Sequence, residues 1–437
     1  MRKARFAALV VGVLALLILP AGSAEVATPN DTARFLAGLP PGTGSPLAAL
    51  SKDPSWERHA NYFDLVFAKV DQTHLSKIRE FSGTRLNTTH DTMLYLFGGP
   101  DALHAVAFFP NAANYVLSGL EPVGDIPELT SLPRGTVHGT LQNLEAALST
   151  LVTMHYFITA RMQSQLSSGP VYGALPVIYV LLARSGKNIH QVTFVSLDQD
   201  GNAQAPSKPG DKAAVTGAKI IFSGDDGRKR TLYYFSTNLA NQATKNSGFL
   251  AFCEKLGAAD SLLKSASYLL HGGEFSIVRN FLLERSGTIL QDDTGIPVSY
   301  FDREKWQLQP FGRYDVPIPI FAHQYQPQMA DLYREGNPIP LDFGIGYRPS
   351  LQGSNLLLAE KIAGANALAG HVAGPDQRKA AGRDGDERAG GAGQPHATAR
   401  PHLFLVPTSS TPSHQYMPRW RSTYSAPQRS PTRRSSK

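Results

Sequence analysis

Two short stretches of the chain hold the residue types that acid–base chemistry needs. In the first, Tyr95 to Gly124, a Gly-Gly-Pro-Asp turn places Asp101 three residues before His104, and Glu121 follows in Gly-Leu-Glu-Pro-Val-Gly. At the start of a helix, an Asp and a His three apart lie on one face, where carboxylate and imidazole can share a proton or hold a cation. The same spacing has a plainer reading, in which Asp101 caps the helix and favours the positive end of its dipole. In the second stretch, Gln291-Asp292-Asp293-Thr294-Gly295-Ile296-Pro297, two adjacent carboxylates can raise one another's pKa or bind a cation. Its plainer reading is a turn whose Asp side chains bond the backbone. Asp101, His104, Asp292 and Asp293 are therefore the catalytic candidates, and Glu121 and Gln291 the binding candidates.

The standard signatures are absent: there is no G-x-S-x-G, no H-E-x-x-H, no P-loop and no cysteine-based metal framework. The residues name no cofactor, metal or partner. Asp198-Gln-Asp200-Gly has the opening of a calcium loop but lacks the spaced acids and closing Glu, so it reads as a turn. The lone cysteine, Cys253 in FLAFCEKLG, reads as a small buried apolar residue rather than a nucleophile.

As a set, Phe97 to Asp101, Phe108 to Pro110, Gly119 to Gly124 and Gln291 to Pro297 spell F-x-G-P-D, F-F-P, G-L-E-P-V-G and Q-D-D-x-G-I-P. In these motifs the chain resembles an uncharacterised family of exported bacterial proteins, over roughly Asp31 to Arg348. The resemblance implies export and a shared fold, and no mechanism.

Export is also what the N-terminus spells. Arg2, Lys3 and Arg5 precede the apolar run Phe6 to Leu19, and Pro20-Ala-Gly-Ser-Ala24 supplies small residues, the layout of a signal peptide cleaved after Ala24. That run falls short of the roughly 20 residues needed to span a bilayer, so a mature protein without a membrane span is expected, in the periplasm or secreted.

The formal charge of +7 invites a nucleic-acid reading, but its distribution removes it. Residues 363–437 carry 11 Lys and Arg against 4 Asp and Glu, whereas residues 25–362 carry 28 against 31. The body is nearly neutral, and no nucleic-acid partner is expected. Beyond Ile362 the composition turns to Ala, Gly, Arg, Ser and Pro, which predicts a disordered basic tail. Its vocabulary, starting directly after LLLAEK, resembles out-of-frame reading of a GC-rich gene.

The elements that must position the candidates read as α+β: a mainly antiparallel or mixed sheet packed against a long helix and a helical segment, in one integrated body over 25–362. The first stretch reads as strand, turn, helix, strand, with the helix from Asp101 to Phe109. Spacing predicts a helix pair over Trp56 to Phe81 broken near Asp71 to Thr73, a long helix from Thr136 to Leu166, and helices within Asn241 to Ser286, including Leu262 to Leu270. Strands are expected at Leu175 to Leu182, Gln191 to Leu197, Lys219 to Phe222, Thr231 to Phe235, Thr288 to Gln291, Val298 to Phe301 and Trp306 to Pro310. The alternating prolines of Val316 to Phe321 predict an extended strap. The aromatics between Tyr300 and Tyr347 are numerous enough to stack on sugar rings, although most should be core.

Overall fold

The computed structural model describes residues 26–362 except 89, 155–165, 167–168, 206–214 and 267. The signal segment, the basic tail and most of the predicted helix beyond Met154 lie outside the described residues.

The chain begins with α1 (Pro29–Leu36) and α2 (Pro54–Val70), capped by Thr28 and Asp53. A π-helical turn, Asp71–Leu75, carries α2 into α3 (Ser76–Arg85). This is where a break was expected. The helix instead takes in the extra residue as a π-bulge, so that His74 and Leu75 both point inward. Then come β1 (Thr92–Tyr95), α4 (Ala102–Phe108) and β2 (Asn114–Gly119), the predicted strand, turn, helix and strand. The described part of the long helix is α5 (Arg134–Met154).

Next is α6 (Ala174–Arg184), where a strand was expected. Every residue from Ala174 to Ala183 is buried, so the run has no polar face and its periodicity cannot separate helix from strand. The strands β3 (Asn188–Leu197), β4 (Ala203–Gln204), β5 (Val215–Ser223) and β6 (Lys229–Ser236) follow. Two short helices, α7 (Asn241–Thr244) and α8 (Phe249–Lys255), lead to β7 (Ala259–Leu263). The helix expected over Leu262 to Leu270 is therefore replaced by the end of a strand and a loop. Five buried residues suit a strand that has helices on both faces. The chain closes with α9 (Ser276–Arg285), β8 (Ser286–Gln291), β9 (Trp306–Gly312), α10 (Pro327–Glu335) and β10 (Asn355–Lys361). Val298–Tyr300 is a 3-10 turn rather than a strand, and the strap turns into a 3-10 helix at Pro319–Gln324. β10 was not expected at all.

All ten strands form one mixed sheet in the order β4-β3-β5-β6-β2-β1-β7-β8-β10-β9. The central run β6-β2-β1-β7-β8 is parallel, and the flanking pairs are antiparallel. Alternate residues of the central strands enter opposite cores. Met93, Tyr95, Tyr115 and Leu117 pack with α1 to α6, and Leu94, Val116 and Leu263 pack with α8 and α9. No described helix is long and apolar enough to cross a membrane.

The direction of the chain changes between β1 and β7. From β1 it moves through α4 to β2 on one side, while β7 leads to β8 on the other. The carboxyl ends of β1 and β7 thus meet at a topological switch point, the place where open sheets of this kind hold their ligands.

Candidate functional site

All six candidate residues lie at or beyond the carboxyl ends of the parallel strands. Asp101 and His104 come after β1, Glu121 after β2, Asp292 and Asp293 after β8, and Gln291 is the last residue of β8. All six are buried.

Gly99, with φ of +60°, turns the chain after β1 so that Asp101 becomes the cap of α4. The Asp101 carboxylate accepts from the His104 backbone N–H at 3.2 Å, from His104 Nδ1 at 2.9 Å and from Tyr95 Oη at 3.1 Å. Its fourth partner is the Lys264 ammonium, 3.1 Å from Oδ2, and both side chains are about 1% exposed. Burial would push Asp101 up; the His104 and Lys264 charges and the hydrogen bonds outweigh it and hold the carboxyl below the usual range. His104 is itself moved down, because burial and Lys264 outweigh the pull of Asp101. Lys264 acts on both groups in the same direction, its charge lowering Asp101 and lowering His104.

His104 Nε2 lies 3.0 Å from Nε2 of His74. The two rings meet edge to face, with centres 5.2 Å apart. Asp101, His104 and His74 form a buried relay ending in the π-bulge. Glu121 stands apart from it. Tyr234 Oη donates to the Glu121 carbonyl at 3.0 Å and to Oε2 at 3.2 Å, and the carboxylate folds back over Gly99 and Gly119.

At the end of β8, Asp292 Oδ1 accepts from the Thr294 N–H at 2.9 Å and its hydroxyl at 2.6 Å, closing the predicted turn. Asp292 Oδ2 accepts from the Ser265 N–H at 2.9 Å. Burial and the charge of Asp293 push Asp292 up to about 6 in spite of these bonds. Asp293 accepts from Tyr268 Oη at 2.5 Å and Asn355 Nδ2 at 3.2 Å, and burial moves it up as well. Gln291 closes the turn from the other side, bonding the N–H and C=O of Ile296 at 2.9 and 2.7 Å.

The two constellations are joined by one dipeptide. Lys264 and Ser265 follow β7 directly; Lys264 binds Asp101, and the Ser265 amide binds Asp292. Ser265 and Tyr268 have φ of +55° and +61°. Such left-handed non-glycine residues are held only where surrounding bonds over-determine them. The loop is not a nucleophile elbow. The Ser265 amide is committed to Asp292 and the Ala266 amide to Thr294 Oγ1 at 2.7 Å, so neither faces an oxyanion.

Sequence reading missed Lys264, His74, Tyr95, Ser265, Tyr268 and Asn355. Lys264 carried one signal, a cation directly after Leu262-Leu263. His74 carried another, its place in the interrupted helix. Cys253 is buried as expected, and burial moves its thiol up. Among the described residues no group of three or more His, Cys, Asp or Glu is placed to hold a metal. No protein-family model, curated protein or solved structure matches the chain.

Proposed function

We propose that this is an exported, non-catalytic binding protein of the bacterial envelope, periplasmic or secreted, whose ligand side is the carboxyl edge of the parallel strands. One observation carries the reading. The carboxylates that could act on a substrate are buried and occupied by the protein's own donors: four on Asp101, three on Asp292 and two on Asp293. A general acid or base must reach a proton on its substrate, and groups so enclosed act as architecture. Export rests on the N-terminal segment and on the resemblance to exported proteins.

A hydrolase is the second reading, favoured by the Asp101, His104 and His74 relay at the switch point. The two are separated by assaying wild type, Asp101→Asn and Asp292→Asn against ester, glycoside and phosphate chromogenic substrates, with thermal unfolding in parallel. The expected result is no turnover above buffer and a loss of stability in both variants. Turnover that vanishes in a variant still folded would overturn the reading. Export is checked by fractionation and mass spectrometry, with a mature chain starting at Glu25 expected. A full-length precursor confined to the cytoplasm would overturn it.

A further inference from the structure

His74 and His104 meet inside the molecule, 2% and 0% exposed, with their Nε2 atoms 3.0 Å apart. Two imidazoles at that distance share one hydrogen bond, so one nitrogen carries the proton between them and the other is bare, whichever ring donates. The contact therefore fixes a proton count. With both rings charged, two N–H groups would face each other without an acceptor, and two like charges would lie side by side out of water.

The surroundings resist a second charge. Burial moves His104 down from 6.5 and Lys264 adds to it, while Asp101, 2.9 Å from Nδ1, pulls the other way without prevailing. Asp101 is also engaged by Lys264 and, from β1, by Tyr95, which the Asp292 charge reaches from beyond β8. From the segment before β10, Phe343 meets His74 edge-on with ring centres 6.0 Å apart, and the neighbouring Asp342 carbonyl accepts from Lys77 of α3 at 2.7 Å. On the helix of His74 itself, Asp71 and Arg79 pair with each other at the surface.

His74 also sits on the element best able to yield. It belongs to the π-helical turn Asp71–Leu75, whose first three residues are exposed and whose last two are buried. Beyond the turn, α3 is pinned to α4 by Ser82 Oγ, which donates to the Phe108 carbonyl at 2.6 Å. We propose that the His74–His104 contact is an acid-released clasp on the joint between α2 and α3: one shared proton closes it, and charging both rings opens it and turns His74 out to solvent. Histidine clusters couple conformation to pH in this way. In the open form both rings titrate near about 6.5, whereas the closed pair binds at least one proton fewer. The open fraction therefore rises about tenfold for each pH unit below that value. The clasp concerns the fold of α2 and α3 and stands apart from what the protein binds.

The test is hydrogen exchange of the full chain, read by mass spectrometry at about pH 7.5, 6 and 5 and corrected for the intrinsic exchange rate. Peptides covering Asp71 to Leu75 should lose protection about tenfold between pH 6 and pH 5, while those covering β1 and β7 keep theirs. His74→Gln places an amide that donates and accepts but takes up no proton, so the turn should stay protected at every pH. His271→Gln removes the acid-sensitive imidazole beside Tyr268 and should leave the loss at the turn in place. A wild-type turn that keeps its protection at pH 5, or loses it together with β1 and β7, would overturn the clasp. So would an equal acid loss in His74→Gln. The wild-type measurement decides by itself if that variant does not fold.

Discussion

Replacing Asp101 by Asn removes one charge from the most enclosed part of the molecule and changes almost no volume. The Asn carbonyl oxygen can keep the cap on the His104 amide, but its amide nitrogen then faces Tyr95 Oη, His104 Nδ1 or Lys264 Nζ, of which the ammonium can only donate. The Lys264 ammonium, 1% exposed, loses the carboxylate that lies 3.1 Å from it. Breaking a buried pair from one side costs about 3–5 kcal/mol. For a folded body of roughly 340 residues, at about 2.1 cal/mol/K per residue, that is a fall in Tm of about 4–7 °C. Lys264→Met should cost less, about 1–3 kcal/mol, because Asp101 keeps three donors and His104 can take up a proton to replace the lost cation. With Lys264 gone, the His104 pKa should move up, since Lys264 is one of the groups holding it down. The double variant should be more stable than Asp101→Asn alone, as it buries no charge at this point. Calorimetry and urea unfolding of the four proteins close the cycle. If Asp101→Asn stays within about 1 kcal/mol of wild type, or the two losses simply add, the buried pair is not what holds the switch point together.

Three further outcomes follow from the same geometry. Asp292 keeps its proton in the folded state up to about pH 6 but loses it near 3.8 when unfolded. Its contribution therefore falls as pH rises between those values, by up to about 3 kcal/mol, and urea midpoints should lose this slope in Asp292→Asn. His271 has the opposite sign, because burial lowers it from 6.5 to about 4. The unfolded chain takes up its proton first, so stability falls as pH drops from 6.5 toward 4, by at most about 3 kcal/mol before the exposed part of the ring is allowed for. His271→Gln should flatten the acid limb that Asp292→Asn steepens, read by the same urea midpoints. Gly346, at φ +60°, has no room for a methyl group: an ideal Cβ there would lie 1.9 Å from Asp292 Oδ2. Gly346→Ala should lower Tm by several degrees, whereas Gly227→Ala, also at positive φ but with nothing within 4 Å of its Cβ, should cost only backbone strain.

Local features of the chain were legible because the forces behind them are local. The Gly-Gly-Pro-Asp turn, the Asp101 cap, the hairpin of β5 and β6 and the Asp292 turn each depend on a few neighbouring residues, and the structure has them where the sequence places them. The mixed α+β sheet was legible at the same level. Leu175 to Leu182 was misread because burial on all sides erases the periodicity that separates helix from strand; over Leu262 to Leu270 the apolar spacing spans the end of β7 and the loop after it, in which Leu269 is exposed. What the tertiary structure alone decided is which distant residues meet. Nothing in the spacing of residues 74, 101, 264 and 292 says that β7 lies beside β1 and β8, yet that strand order brings Lys264 to Asp101 and the Ser265 amide to Asp292. Strand order is set by how the apolar faces of the whole sheet are covered. The same packing put six of the late aromatics in the core and left Tyr300 and Tyr325 exposed.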